Sequence, residues 1–345
     1  MTLDGRADRL PLVSVVMPVR NEEAYLARSL GAVLRQDYPA DRLEVIVVDG
    51  ASDDRTTAVA EALTAGLDVP PISVVTNPAA ITPVSLNLGI EKAAGDIIVR
   101  VDGHCEIAPD YVRRCVDVLL ETGVECVGGV FVTEGETESA RTIAVAQSSR
   151  FGVGNVAFRT GRADPGLVDT VPFGAWPRRV FDEFGLFDED LVRNQDDEFN
   201  FRVIQAGGRV WYDPTIRSRY FSRATLPKLW RQYFEYGCYK VLVAKKRGGV
   251  ASARHLVPVG FVAALSCGAV ASAVSGRARW LLAVVAPYAV ANATMSLRLA
   301  SRHHVPAPQL AAAFATLHLA YGSGFTWGAV RWHLHPKVDS QRACP

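Results

Sequence analysis

Three short stretches carry the residues with the most chemistry. Gly95-Asp96-Ile97-Ile98-Val99-Arg100-Val101-Asp102-Gly103-His104 is an apolar strand that ends in a carboxylate and an imidazole. Val45-Ile46-Val47-Val48-Asp49-Gly50 repeats the design upstream. Further along, Asn194-Gln195-Asp196-Asp197-Glu198 sets three consecutive acids ahead of a helix pattern through Phe199, Val203 and Ile204. A parallel strand buried on both faces reads as a near-continuous apolar run. A carboxylate at its C-terminal end points into the crevice where open α/β sheets bind ligands. Two such strands suggest a site for a nucleotide and its metal. The acidic triplet offers other chemistry: like charges this close repel and raise the pKa of at least one. A general base working near neutrality needs that shift.

The elements that position these residues follow from the apolar pattern. Val13 to Val19 is a strand broken by Pro18, followed by the polar turn Arg20-Asn21-Glu22-Glu23. Leu26, Leu30, Val33 and Leu34 recur at helical spacing and bury one helical face on a sheet. After Asp49, Ser52 or Asp53 is placed to cap the next helix. Ile72 to Thr76 is a short third strand, and Thr82-Pro83 opens a helix with proline near its first position. Strands alternating with helices predict a doubly wound, mostly parallel α/β sheet.

A formal charge of +1 over 345 residues carries no electrostatic signal for nucleic acid. The six cysteines contain no C-x-x-C pair and read as reduced thiols facing a cytosol. Met1 to Leu12 lacks the apolar region of a signal peptide. Gly135 to Pro165 is polar, glycine-punctuated and weakly periodic, which predicts a mobile loop or short helix. Acidic residues nearly vanish after Glu235. His255–Gly276, Trp280–Leu297 and His303–Val330 carry no Asp, Glu, Lys or Arg, so they are three candidate spans. Lys245-Lys246-Arg247 ahead of them places that side in the cytoplasm. A chain ending near Lys246 should then leave membranes more readily than the full chain.

The ordered motifs from about Pro11 to Tyr239 resemble the family 2 glycosyltransferases, whose catalytic half is a GT-A-type sheet. Within the family, Asn77-Pro78, Thr82-Pro83-Val84-Ser85-Leu86-Asn87-Leu88-Gly89-Ile90, Arg100 to His104 and Asn194-Gln195-Asp196 look most like the ExoA-type succinoglycan enzymes. The resemblance implies an inverting transfer of a sugar from a nucleotide sugar, UDP-sugar favoured, to a polyprenyl-diphosphate-linked saccharide. The apolar stretches and the Lys245-Lys246-Arg247 cluster add the expectation of a multi-pass protein of the inner (cytoplasmic) membrane, its catalytic domain in the cytoplasm. Pro18, Glu22 and Asp49 fall where the family places nucleotide contacts, and Arg20 stands where an aromatic is common. The family's Asp-x-Asp metal motif becomes Asp102-Gly103-His104, and imidazole suits Mn²⁺ better than Mg²⁺. Asp196 takes the place of the base, with Gln195 replacing the usual Glu. Asp197, Glu198 and Arg202 complete the motif on the acceptor side. Gly174 would admit close approach of a sugar, and Trp176 either stacks on a pyranose or belongs to the core. Gln232 is what remains of the Gln-x-x-Arg-Trp signature of processive members, since Glu235 replaces the arginine.

The expected layout is a catalytic domain over 1–222, an interfacial amphipathic helix within 223–250, about three membrane helices over 251–335 and a tail at 336–345. Two rival readings differ in class. A nucleotidyltransferase would need a glycine-rich, arginine-containing loop where Val19-Arg20-Asn21-Glu22-Glu23 stands. An inactive membrane scaffold or binding protein of the same fold gains from His104 and Gln195 and loses from Asp102 and Asp196.

Overall fold

The computed structural model describes residues 10–66 and 70–334. The expected tail at 336–345, Cys344 and most of the stretch tested for a signal peptide lie outside them. The chain divides into two compact units. One takes residues up to Val132 together with Gly161–Tyr220; the other takes Thr133–Thr160 with the chain from Phe221 onward. The expected catalytic span of 1–222 is therefore interrupted.

The first unit begins with strands β1 (Val13–Val19), β2 (Leu43–Asp49), β3 (Ile72–Thr76) and β4 (Ile97–Arg100). Helices α1 (Leu26–Leu34), α2 (Thr56–Thr64) and α3 (Thr82–Lys92) lie between them. The four strands pair in parallel, in the order β3-β2-β1-β4. Leu26, Leu30 and Val33 of α1 join the core that Val15, Met17, Val45, Val47 and Val99 build on one face of this sheet. On α3, Gly89 allows close approach: a Cβ there would collide with Val16.

Pro18 breaks no ladder. Val101 N–H donates to Val16 O, so the even residues of β1 face β4, and that pairing ends at Val16 and Arg100. The missing N–H of Pro18 lies beyond the end of the neighbour, where no partner was needed.

Beyond β4 the parallel order stops. β5 (Cys105–Ile107), α4 (Tyr111–Thr122) and β6 (Cys126–Glu134) come next in the chain. Helices α5 (Glu138–Gln147), α6 (Arg150–Val153) and α7 (Ala157–Thr160) follow. The first unit resumes with β7 (Gly166–Leu167), β8 (Ala175–Pro177), α8 (Arg179–Phe184), α9 (Gln195–Gln205) and β9 (Val210–Phe221). The sheet order continues from β4 through β8, β6 and β9 to β5, with β7 on β9. The pairs β4–β8, β6–β8, β5–β9 and β7–β9 are antiparallel.

In the second unit, α10 (Leu226–Arg247) is capped by Thr225, whose hydroxyl accepts from the Lys228 N–H. It ends where Gly248 takes φ 73°. Helices α11 (Val257–Ser275), α12 (Arg279–His303) and α13 (Ala307–Leu334) complete the unit. Glycines bring α10 and α13 together: a Cβ on Gly237 would strike the Tyr321 carbonyl, and one on Gly324 the Phe234 carbonyl. The stretch expected as a mobile loop or short helix forms three short helices, α5 to α7. Ile143 and Ala146 of α5 share an apolar cluster with Leu310, Phe314 and Leu317 of α13.

Among the described residues two helices are long and apolar enough to cross a membrane, Ala253–Ser275 and Arg279–His303. The stretch expected as a third span falls in α13, which buries Leu310, Ala313, Phe314, Leu317 and Ala320 inside its unit. Cys105, Cys115, Cys126 and Cys267 are free thiols. Cys238 is disulfide-bonded, a departure from the all-reduced expectation.

Candidate active site

The loops that leave the C-terminal ends of β1, β2 and β3 are tied to one another. The Asp49 carboxylate accepts the Ser52 N–H at 3.2 Å, the Ser52 hydroxyl at 2.5 Å and the Thr57 hydroxyl at 3.3 Å. A carboxylate has about four lone-pair sites, so Asp49 retains capacity for one more donor. Arg20 donates to the Ala80 carbonyl at 2.7 Å. Asn77 is fully buried, accepts from Ala79 N–H and donates to Ile81 O and Ser85 Oγ, which shapes the loop that presents Ala80. Asn21 accepts from Asp53 N–H while its own N–H donates to Ser52 Oγ, lacing the first two loops together.

Backbone strain concentrates here. Of the non-glycine residues with positive φ, Asn21 (55°), Ala51 (54°) and Ala80 (59°) sit on these three loops. Phe173 (43°) and Asn194 (62°) precede β8 and α9. Strained φ persists only where surrounding contacts over-determine it, and it clusters at functional sites.

After β4 the chain turns tightly, with Cys105 N–H donating to Asp102 O. Arg100, itself buried, grips the Asp102 carboxylate in a fork, Nε to Oδ1 at 2.7 Å and Nη2 to Oδ2 at 3.0 Å. The guanidinium also lies over the Phe173 ring, 5.7 Å from its centroid. His104 Nδ1 stands 2.8 Å from Glu22 Oε1, and its ring meets Tyr220 edge-on at 5.8 Å. Tyr220 stacks on Phe131, which packs on Phe173, so one aromatic row runs from His104 towards Arg100.

Asp196 opens α9, with Asn194 in a left-handed conformation ahead of it. Its carboxylate accepts the Asp197 N–H at 2.9 Å. Asp196 keeps a partial opening to solvent, yet burial of its carboxyl pushes its pKa above the ordinary carboxylate value. Arg100 opposes that push, as does the Asp197 N–H, while the charges of Asp197 and Asp102 add to it. Arg100 is thus the cation that both acids feel. Its signal in the sequence was a single charge inside an apolar strand.

Several expected site residues are spent inside the fold. Trp176 is 1% exposed and packs edge-on against Phe181, Phe187 and Phe199, so it belongs to the core and stacks on no sugar. Gly174 makes room for that indole rather than for a substrate, since a Cβ would collide with the Trp176 ring and Cys126 Sγ. Glu198 is fully buried and paired with Arg202 at 3.1 Å. Arg202 also donates to the carbonyls of Phe184 and Leu186, at 2.6 and 2.8 Å. These two hold the α8–α9 connection instead of reaching an acceptor. Asp197 is buried in the first turn of α9. Gln232 is buried in the second unit, accepting from Gln147 and donating to the Tyr236 hydroxyl.

The sequence profile of glycosyl transferase family 2 matches residues 14–183. The chain is 28% identical over 324 residues to the succinoglycan biosynthesis protein ExoA of Rhizobium meliloti, covering 90% of this chain and 93% of that one. It is 29% identical over 257 residues to a dolichyl N-acetyl-alpha-D-glucosaminyl phosphate 3-beta-D-2,3-diacetamido-2,3-dideoxy-beta-D-glucuronosyltransferase of Methanococcus voltae, covering 72% and 78%. Among solved structures, the mannosyltransferase PcManGT from Pyrobaculum calidifontis, in complex with GDP-Man and Mn²⁺, shares the fold. Its TM-score is 0.62 at 22% identity, over 90% of this chain and 88% of that one.

Proposed function

Residues 14–183 make this chain a member of glycosyl transferase family 2, and on that premise we propose an inverting, membrane-bound glycosyltransferase with Asp196 as its general base. The donor is a nucleoside diphosphate sugar, UDP-sugar favoured, and the acceptor a lipid-linked saccharide of cell-envelope or exopolysaccharide synthesis. The dolichyl phosphate in the name of the Methanococcus relative and the succinoglycan in that of ExoA support this acceptor class. The two exposed apolar helices support membrane attachment, and the cluster Lys245-Lys246-Arg247 supports a cytoplasmic catalytic unit.

One observation carries the mechanism: a carboxylate of raised pKa stands at a helix start in electrostatic reach of Asp102 and Arg100. Asp49 offers its remaining lone pair to a base N–H, while Pro18 and Arg20 wall the base. Asp196 takes the proton of the acceptor hydroxyl as that oxygen attacks the anomeric carbon in line with the departing diphosphate. Inversion follows from the single displacement, with no covalent intermediate.

A divalent cation fits the donors present. The Arg100 fork leaves Asp102 lone pairs outside it. Glu22 occupies only Nδ1 of His104. Among the described residues no three His, Cys, Asp or Glu cluster to hold an ion by themselves, so Asp102 and His104 would hold it together with oxygens of the substrate or of water. When bound, the ion acts as a Lewis acid towards the diphosphate, and the imidazole favours Mn²⁺ over Mg²⁺.

Asp196→Asn should retain nucleotide-sugar binding yet lower turnover by about 10²-fold or more. Asp102→Ala should instead abolish Mn²⁺-dependent nucleotide binding in calorimetry. An intact rate in the first variant would remove Asp196 from the mechanism, and unchanged affinity in the second would remove the metal site.

A further inference from the structure

The turn that carries Asp102 and His104 is fixed from several sides, and Glu22 takes part in two of these contacts, over Gly103 and against His104. Glu22 enters the site from the β1 loop with its N–H held by the Thr56 hydroxyl at 2.7 Å. Its side chain crosses directly over Gly103: a Cβ there would meet Glu22 Cγ and Val19 Cγ1, each at 3.0 Å. The Gly103 peptide is pinned in turn by Ser29, whose buried hydroxyl donates to its carbonyl at 2.7 Å. The glycine between Asp102 and His104 leaves room for the Glu22 and Val19 side chains that pass over it. The Glu22 carboxylate ends 2.8 Å from His104 Nδ1, and both partners are mostly shielded, with side chains 17% and 23% exposed.

Family resemblance had placed Glu22 on the nucleotide, but the geometry gives it another task. We propose that Glu22 is a positioning residue for His104. Its carboxylate accepts the Nδ1–H, fixes the tautomer and leaves Nε2, with its lone pair, as the ring nitrogen that binds a divalent first-row transition ion. A carboxylate behind a metal-binding imidazole sets ring orientation and raises ligand basicity, and its loss typically weakens metal affinity about 10- to 100-fold. The inference rests on the reading of His104 as a metal ligand. It adds a residue 82 positions away in the chain, on a different loop. It also explains how an Asp-x-His motif holds its second donor as rigidly as a carboxylate would.

The experiment is a Mn²⁺ titration of the full-length protein in detergent, with whichever of UDP and GDP it binds. Free Mn²⁺ is followed by electron paramagnetic resonance, and imidazole nitrogen coupling by its pulsed form. Five proteins are compared: wild type, His104→Ala, Glu22→Ala, Glu22→Gln and the double alanine variant. Glu22→Ala should weaken Mn²⁺ binding about 10- to 100-fold. Glu22→Gln, which still accepts the Nδ1–H but carries no charge, should lose less. In the His104→Ala background Glu22→Ala should cost nothing further. Melting temperature and metal-free nucleotide affinity report whether the loop itself has moved; with both unchanged, the metal effect is specific. If His104→Ala abolishes the nitrogen coupling while Glu22→Ala leaves Mn²⁺ affinity within twofold, Glu22 has no positioning role and the metal site stands without it. If nitrogen coupling is absent from the wild type, His104 is no ligand, and the metal reading and this proposal fall together. An additive loss in the double variant would also overturn it, because Glu22 would then be acting on something other than His104.

Discussion

Arg100 decides how the two carboxylates at the centre of the site share charge. It holds Asp102 in a two-point grip and pulls the Asp196 carboxyl down against the upward push of burial. A base must be ionised to take a proton, so turnover should fall as pH drops through the raised Asp196 pKa, at higher pH than an ordinary carboxylate would set. Arg100→Met removes the opposing charge, and the acid limb of the kcat profile should then move to still higher pH. A limb that stays in place would mean that the Arg100 charge does not govern Asp196. Stability must follow the same shift. A carboxyl whose folded pKa is raised binds its proton more tightly when folded, so stability falls as pH rises from the ordinary carboxylate value through the raised one. Asp196→Asn removes that slope. At neutral pH the variant should melt no lower than wild type, and above it if the burial cost dominates, although it has lost turnover; a lower Tm would contradict the assigned shift.

At the scale of elements, β8, α8 and α9 are held together by Trp176, whose indole fits among Phe181, Phe187 and Phe199. Trp176→Ala should cost about 3–5 kcal/mol, the range for truncating a buried aromatic. A clear fall in Tm should show it, with the donor KM of the surviving folded protein near wild type. A large rise in acceptor KM at unchanged Tm would return Trp176 to the site. This residue also shows where the sequence stops being legible. Long apolar runs such as Val45–Val48 and Ile97–Val99 announce buried parallel strands, and Pro83 marks the start of α3, because those signals are local. Whether one tryptophan faces sugar or core depends on three phenylalanines at other positions, and no local pattern holds that. β5, β7 and β8 span only two or three residues, too few for periodicity to register, so these three strands went unread. The strand-end carboxylates Asp49 and Asp102 were legible from the chain. Glu22 against His104 and Arg100 against Asp196 were not, since each pair forms only when separate loops converge.

For the whole molecule the question is what solvent the last third is built for. A helix on the surface of a soluble protein buries one apolar stripe, whereas one that is apolar all round lies in a core or a membrane. α11 and α12 leave Val257, Val270, Val274, Leu282, Val290 and Leu297 more than half exposed, and almost nothing in the first of these helices is buried. The full chain should therefore stay with membranes through a high-salt wash and leave only with detergent; recovery in the soluble fraction without it would refute the spans. Release by truncation is another matter. From the sequence, a chain ending near Lys246 should come away more readily, but α13 is the partner of both α10 and α5. Its Leu310, Phe314 and Leu317 share one cluster with Leu229, Tyr233, Ile143 and Ala146, and its glycines seat the backbone of α10. Ending the chain at Arg247 strips that cover and exposes an apolar face on the remainder. Such a chain should aggregate or still demand detergent, even though both candidate spans are gone. A version that keeps α13, joined to α10 by a flexible linker in place of α11 and α12, should need less detergent. Gel filtration of the two without detergent decides the point, because a monodisperse monomer from the shorter chain would show that α13 packing is dispensable.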